Sequence, residues 1–356
     1  MRLAALLSAM ALASPVAAAA SDAAAGAEVD AIMRPYTGAV PGASVLVLRE
    51  GAVVLERAYG LADVEQGVAA TPATNYRLAS VTKQFTAAAI LLLVQDGRLQ
   101  LEDGIRKWLP SLPAAADAIT LRHLLTHSSG LVDYEDVMAP GTTTQLRDAD
   151  VLRLLEQQSR TYFVPGEGYR YSNSGYALLA LVVERASGQD FAGFLQQRIF
   201  EPLGMAQSLA HVAGGPPVAD RAYGHSAAGE GWIRTDQSPT SAVLGDGGVY
   251  SSIRDLARWD AALYDDRLLG DALRDLMFSG WVATDAPGVR YGFGWRVSGD
   301  SVWHSGETIG FRNVLIRYPR QRLTVVVLSN RDDPEPHALA RRIAALYLPG
   351  QPEGPR

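Results

Sequence analysis

The sequence predicts an α/β (α+β) fold, with one antiparallel sheet flanked by helices and an all-helical region inserted between its early and late strands. Three observations predict it. Alternating and β-branched runs stand near the start, at residues 43–48 and 53–59. Similar runs return near the end, at 291–297, 302–304, 311–318 and 323–328. Between the two groups, the strong patterns have helical spacing.

The elements follow in chain order. Met1 and Arg2 precede an apolar run over 3–13 broken only by Ser8, then Pro15 and small residues ending Ala18-Ala19-Ala20. That is the pattern of a signal peptide over residues 1–20, cut after Ala20. The run is too short to span a bilayer, as are the later apolar stretches at 87–94 and 176–183. The expected product is exported, periplasmic or secreted, with no membrane span once the signal is removed. Residues 21–35 read as an Ala-rich lead-in helix or linker. The turn around Gly51 joins the first two strand runs as a pair. Residues 81–95 form an apolar helix with Gly97 just past its end. Segments 148–158, 175–186, 191–200 and 253–264 also carry helix spacing, and Ser252 with Asp255 resembles a capping box with Asp in place of Glu. A last helix covers 337–347, and the tail 349–356 frays. Neither an internal repeat nor a long linker divides the chain. Residues 36–348 therefore read as one composite unit, with a sheet part over 40–78 and 288–348 and a helical part over 79–287.

Composition narrows the function. The 356 residues carry 32 basic and 38 acidic side chains, a net charge of −6, and loss of Arg2 with the signal peptide takes it to −7. The basic residues are scattered, so no nucleic-acid footprint appears. There is no Cys, which excludes disulfides, thiol nucleophiles, thiolate metal sites and a lipoprotein anchor. Thirty of the basic residues are Arg, and only Lys83 and Lys107 are Lys. A lysine where chemistry needs a proton acceptor is therefore suggestive, because Arg cannot give its proton up.

Three motifs carry candidate chemistry. In Ser80-Val81-Thr82-Lys83 the serine sits where a helix begins, and the lysine lies one turn later on the same face. A serine hydroxyl needs a base within hydrogen-bond reach, and a neutral lysine can serve. The helix start adds partial positive charge where an oxyanion would form. On this motif alone, a capping serine beside a solvated lysine reads equally well. In Tyr171-Ser172-Asn173 the phenol can shuttle a proton and the amide can orient a lysine or a substrate carbonyl. A turn before the helix at Gly175, capped by Ser172 or Asn173, is the alternative. In His304-Ser305-Gly306, at a strand end, the glycine would let a substrate approach the backbone. The Glu307 N–H could pair with that of Ser80 as an oxyanion hole. A strand simply turning at Gly306 is the alternative.

Taken together and in this order, the motifs resemble the serine β-lactamase and penicillin-binding-protein superfamily. The likeness is closest to its class C β-lactamase, DD-peptidase and esterase branch, over residues 30–345. The segments LEDGIRKWLP (101–110), ITLRHLLTHSSGL (119–131), FEPLGM (200–205) and GDGGVYSSIRDLARW (245–259) are similar to that branch in style. The resemblance implies a β-lactamase/transpeptidase-like fold with the site in a cleft between sheet and helical parts. It implies Ser80 as acylated nucleophile, Lys83 as general base and Tyr171 as proton shuttle. It further implies Asn173, His304, Ser305, Gly306 and Glu307 as substrate contacts, with no metal and no cofactor. Thr308 and Arg312 follow the last motif without an assigned role. Many members carry Lys where this chain has His304, and an imidazole is only partly charged at neutral pH. The expected function is thus an exported serine hydrolase working through an acyl-enzyme on a small-molecule or peptide substrate: a D-amino-acid-specific peptidase, a DD-carboxypeptidase or an esterase. A class C-like β-lactamase is one alternative, and a penicillin-binding sensor with slow turnover is another.

Other readings are weaker. His123 and His127 stand i, i+4, but position 124 is Leu where a zinc-protease motif has Glu. The string at 224–228 lacks the last glycine of G-x-S-x-G. Residues 245–248 are followed by no phosphate-binding lysine, and Lys107 reads as an exposed helix residue.

Overall fold

The computed structural model describes residues 15–348. Most of the signal peptide read from residues 1–20, and the whole tail 349–356, lie outside the described residues. The lead-in belongs to the helix Pro15–Ile32.

Among the described residues, eight strands form one sheet. Their order is Val282–Ala283, Arg290–Tyr291, Arg296–Ser298, Ser301–Thr308, Phe311–Tyr318, Leu323–Ser329, Ala43–Arg49 and Ala52–Tyr59. All neighbours are antiparallel. The early hairpin joins the late strands where Ala43 pairs with Ser329 and Arg49 with Leu323. Both faces of this junction are covered. Val45, Val47, Val325 and Val327 pack with Val29, Met33, Leu339 and Ile343 in one core. Leu46, Leu48, Val326 and Leu328 belong to the other core, with Phe85, Ile253 and Trp259. Two buried faces are why Leu323–Ser329 is buried at every position and reads as a mainly apolar run, interrupted by Thr324.

One expected strand is divided. The run at 291–297 becomes Arg290–Tyr291 and Arg296–Ser298, separated by a turn in which Gly294 has φ +77°. A Cβ at Gly294 would lie 2.6 Å from the Lys83 carbonyl oxygen, so this turn presses on the start of the central helix. That helix, Lys83–Gln95, is buried without interruption from Lys83 to Leu93. A helix apolar all round belongs in a core rather than at a surface. It packs against Asn173–Ser187 and against the short turn Leu244–Gly247. Ser252 caps the helix Ile253–Ala262 by accepting from the Asp255 N–H, as its sequence pattern predicts. That helix also carries a buried charge: Asp260 accepts from Arg317 Nε at 2.6 Å and from Thr324 Oγ1 at 2.8 Å. Among the described residues, no helix is long and apolar enough to cross a membrane.

Candidate active site

The first motif folds into a tight turn. Ala79–Thr82 is a 3-10 turn running directly into Lys83–Gln95. Ala79 holds φ +49°, a left-handed conformation that costs about 1–2 kcal/mol in a residue with a Cβ. Strand Ser301–Thr308 braces the turn. A Cβ at Gly306 would lie 2.0 Å from the Leu78 carbonyl oxygen, so the close approach expected of a substrate is made by the chain itself.

Ser80 is not a cap, because the turn's cap position is Leu78 and carries no side-chain bond. Lys83 is not solvated: it is fully buried. Its Nζ lies 3.0 Å from Ser80 Oγ, 2.8 Å from Asn173 Oδ1 and 3.0 Å from the Asp246 carbonyl oxygen. The ammonium form donates one proton to each. In the neutral form the same Ser80 contact is short enough for the hydroxyl to donate instead. The first two motifs therefore meet in space, although 90 residues separate Lys83 from Asn173.

Asn173 is oriented from both ends. Its Oδ1 faces Lys83, its Nδ2 donates to Glu135 Oε1 at 2.9 Å, and its backbone N–H donates to Asp133 Oδ2 at 2.6 Å. Asp133 thus supplies the first-turn acceptor for the helix Asn173–Ser187, where Ser172 makes no capping bond. Helix Asn173–Ser187 also starts two residues earlier than its apolar pattern suggests.

Tyr171 is placed by His127. The His127 carbonyl accepts from Arg170 N–H at 3.0 Å, and its ring Nδ1 accepts from Ser172 N–H at 3.2 Å. The two rings lie 4.2 Å apart. Lys83 Nζ stands 4.9 Å from the Tyr171 ring centre. The Tyr171 hydroxyl is buried and holds no hydrogen bond among the described residues.

The third motif divides. Glu307 and Thr308 line an open pocket together with Ser80, Asn173, Glu135 and Arg77. The pocket is small, about 50 Å³, and opens to solvent. His304 does not reach it as a cation. Its ring is buried, its Nδ1 lies 2.5 Å from the Ser305 carbonyl, and its Nε2 lies 2.8 Å from the Tyr291 hydroxyl. A carbonyl only accepts, so Nδ1 carries the proton and Nε2 accepts from Tyr291. Burial, with Arg296 and Lys83 nearby, pushes its pKa well below the usual imidazole value. The partly charged histidine expected from the sequence is a buried, neutral ring that does not line the pocket. Arg312 turns back on its own hairpin, donating to the carbonyls of Thr308 and Phe311.

Sequence reasoning missed the acidic floor. Tyr134 donates from its hydroxyl to Asp246 Oδ2 at 3.0 Å. Burial pushes the Asp246 carboxyl up to about 7, against the opposing pull of Lys83. Burial likewise raises Glu135 above the usual carboxylate value, opposed chiefly by its bond to Asn173. Asp148 is raised by burial to about 6, although the N–H groups of Gly245 and Leu244 stabilise its charged form. Of these residues, only Asp246 lay in a segment with a visible glycine pattern. Asp133 and Glu135 left no local sign. His123 and His127, the i, i+4 pair, make internal bonds to backbone N–H groups of Thr120 and Ser172.

Known proteins share this architecture. The family described as Beta-lactamase matches residues 29–348. A penicillin-binding protein of Bacillus subtilis (strain 168) is 33% identical over 329 residues, covering 87% of this chain and 72% of that protein. A D-aminopeptidase of Gluconobacter oxydans (strain 621H) is 30% identical over 338 residues, covering 92% of this chain and 62% of the relative. The crystal structure of a penicillin-binding protein from Bacillus halodurans superposes with a TM-score of 0.80 at 27% identity, covering 89% of this chain and 98% of that one.

Proposed function

This chain belongs to the beta-lactamase family and is a serine hydrolase, and from that premise we propose that it works through an acyl-enzyme on Ser80 and acts on D-amino-acid amides and short peptides with a free amino group. Ser80 Oγ attacks the carbonyl carbon as its proton passes to Lys83 Nζ. The tetrahedral oxyanion is held by the N–H groups of Ser80 and Glu307. Tyr171, whose hydroxyl has no competing partner among the described residues, passes the proton to the leaving amine as the C–N bond breaks. Water then attacks the ester, giving its proton back through the same groups, and Ser80 is regenerated with release of the acid.

The observation that carries the substrate class is Glu135. It lines the pocket beside Ser80 and is fixed there by Asn173. A carboxylate at that wall suits an ammonium, and a D-aminopeptidase is among the relatives. The neutral His304 does not itself supply a cation for a substrate carboxylate. Esters fit the same chemistry with an alcohol as leaving group. The leader pattern over residues 1–20 supports export.

A substrate panel tests this reading. D-Amino-acid amides, D-Ala-D-Ala peptides, p-nitrophenyl acetate and nitrocefin are each offered to the wild type and to Ser80→Ala. Amide and ester turnover that vanishes in Ser80→Ala is expected. Nitrocefin turned over faster than every D-amino-acid substrate would overturn the substrate assignment.

A further inference from the structure

Arg77 is a buried guanidinium without a carboxylate partner. It sits on the short strand Tyr76–Arg77, three residues before Ser80, and is 4% exposed. Its Nη2 donates to the Ser241 carbonyl at 2.8 Å, and its Nε holds no hydrogen bond among the described residues. Among the described residues no Asp or Glu forms an ion pair with it, whereas the neighbouring Arg221 is matched by Asp236. Arg77 lines the same pocket as Ser80, Thr240 and Thr308. Ser241, the residue its guanidinium touches, directly follows Thr240, so the charge lies at that rim. The other ionisable groups of the pocket wall are carboxyls: Glu135 beside Asn173, Asp246, and Glu307, which is drawn to 3.7 Å from Arg312.

A buried cation without a counter-ion is costly unless a ligand supplies the charge. A guanidinium presents a planar fork that fits a carboxylate. Thr308 adds a hydroxyl at the same wall. We propose that Arg77 anchors a carboxylate of the substrate. This rests on the reading of Glu135 as the ammonium site and deepens it: the substrate class is a short peptide with both ends free, its ammonium at Glu135 and its carboxylate at Arg77.

The test reads binding separately from turnover. p-Nitrophenyl acetate carries no carboxylate and serves as reporter substrate. D-Ala-D-Ala and D-Ala-D-Ala amide are compared as inhibitors of its hydrolysis, in wild type, Arg77→Gln and Arg77→Lys. The free acid is expected to inhibit the wild type about 10- to 100-fold more strongly than the amide, the range of a charge-assisted hydrogen bond. That preference should disappear in Arg77→Gln and return in part in Arg77→Lys. Equal inhibition by acid and amide in the wild type would overturn the proposal, and so would a preference that survives in Arg77→Gln. The wild-type comparison stands even if a variant does not fold. Peptides that inhibit by charge but are never cleaved would sink the peptidase reading while leaving the carboxylate anchor in place.

Discussion

Lys83 Nζ and Ser80 Oγ stand 3.0 Å apart, and the lysine that makes this contact has no exposed surface at all. Its other two contacts, Asn173 Oδ1 and the Asp246 carbonyl, fix the amine over the hydroxyl. Such a position needs a basic side chain able to lose its proton. In a chain with 30 Arg and 2 Lys, a Lys here fits the proposed role as base, which Arg could not fill. Lys107, the other lysine, is exposed and pairs with Asp103. Lys83→Arg keeps the charge and removes the base. Its acylation rate, read as the p-nitrophenol burst, is expected to fall about 10²- to 10⁴-fold. A rate near wild type would mean that Lys83 only holds Ser80 in place.

Glu135 makes a separable prediction. Glu135→Gln keeps a hydrogen-bond acceptor for Asn173 and removes the charge. KM for D-amino-acid amides is expected to rise about 10-fold or more, the scale of one lost charge-assisted bond. KM for the matching N-acetylated substrate should not change. Equal changes for both would assign Glu135 to holding Asn173 alone.

His304 predicts a flat profile. The ring accepts from Tyr291 and donates to the Ser305 carbonyl, and burial keeps it neutral below the usual imidazole range. KM for a carboxylate-bearing peptide should therefore show no inflection between about pH 6 and 8 that disappears in His304→Gln. An inflection of that kind would return a cationic role to His304.

The buried carboxyls set how stability depends on pH. Asp246 and Asp148 hold their protons up to about 7 and about 6, above the ordinary value of 3.8. Raised carboxyl pKa values mean that the folded chain binds protons more tightly than the unfolded one. Their contribution is full below about pH 4 and is lost as pH rises through 6 to 7. Asp246→Asn should flatten this part of the profile, measured as Tm against pH. A profile as steep as wild type between pH 4 and 7 would contradict it.

The Asp260–Arg317 pair predicts a stability loss away from the site. Both side chains are almost wholly buried, and Thr324 bonds the same carboxylate. Asp260→Ala strands a buried guanidinium, and denaturant unfolding should show a loss of about 3–5 kcal/mol. A change below about 1 kcal/mol would show that water or another group takes over the charge.

What the sequence made legible was local. Strand Phe311–Tyr318 has the same limits in pattern and structure, because Phe311 and Leu315 on one face and Val314, Ile316 and Tyr318 on the other mark it locally. Ser80 and Lys83 were visible because one helical turn separates them. The division of 291–297 was not, since the run reads as one strand and the approach of Gly294 to the Lys83 carbonyl is a tertiary contact. Asp133, Glu135, His127 and Asp246 reach the pocket or its supports only through tertiary contacts from other segments, and no periodicity records those. His304 was visible as a residue type, but its charge depends on burial and on Arg296 and Lys83, which only the folded chain brings near it.

The central claim is the covalent step on Ser80. Intact-mass measurement with peptide mapping, taken within the first turnovers of p-nitrophenyl acetate and quenched in acid, tests it directly. The account predicts one acetyl group per chain, mapped to Ser80, and no adduct in Ser80→Ala. An adduct on another residue, or undiminished hydrolysis by Ser80→Ala without any adduct, would contradict it.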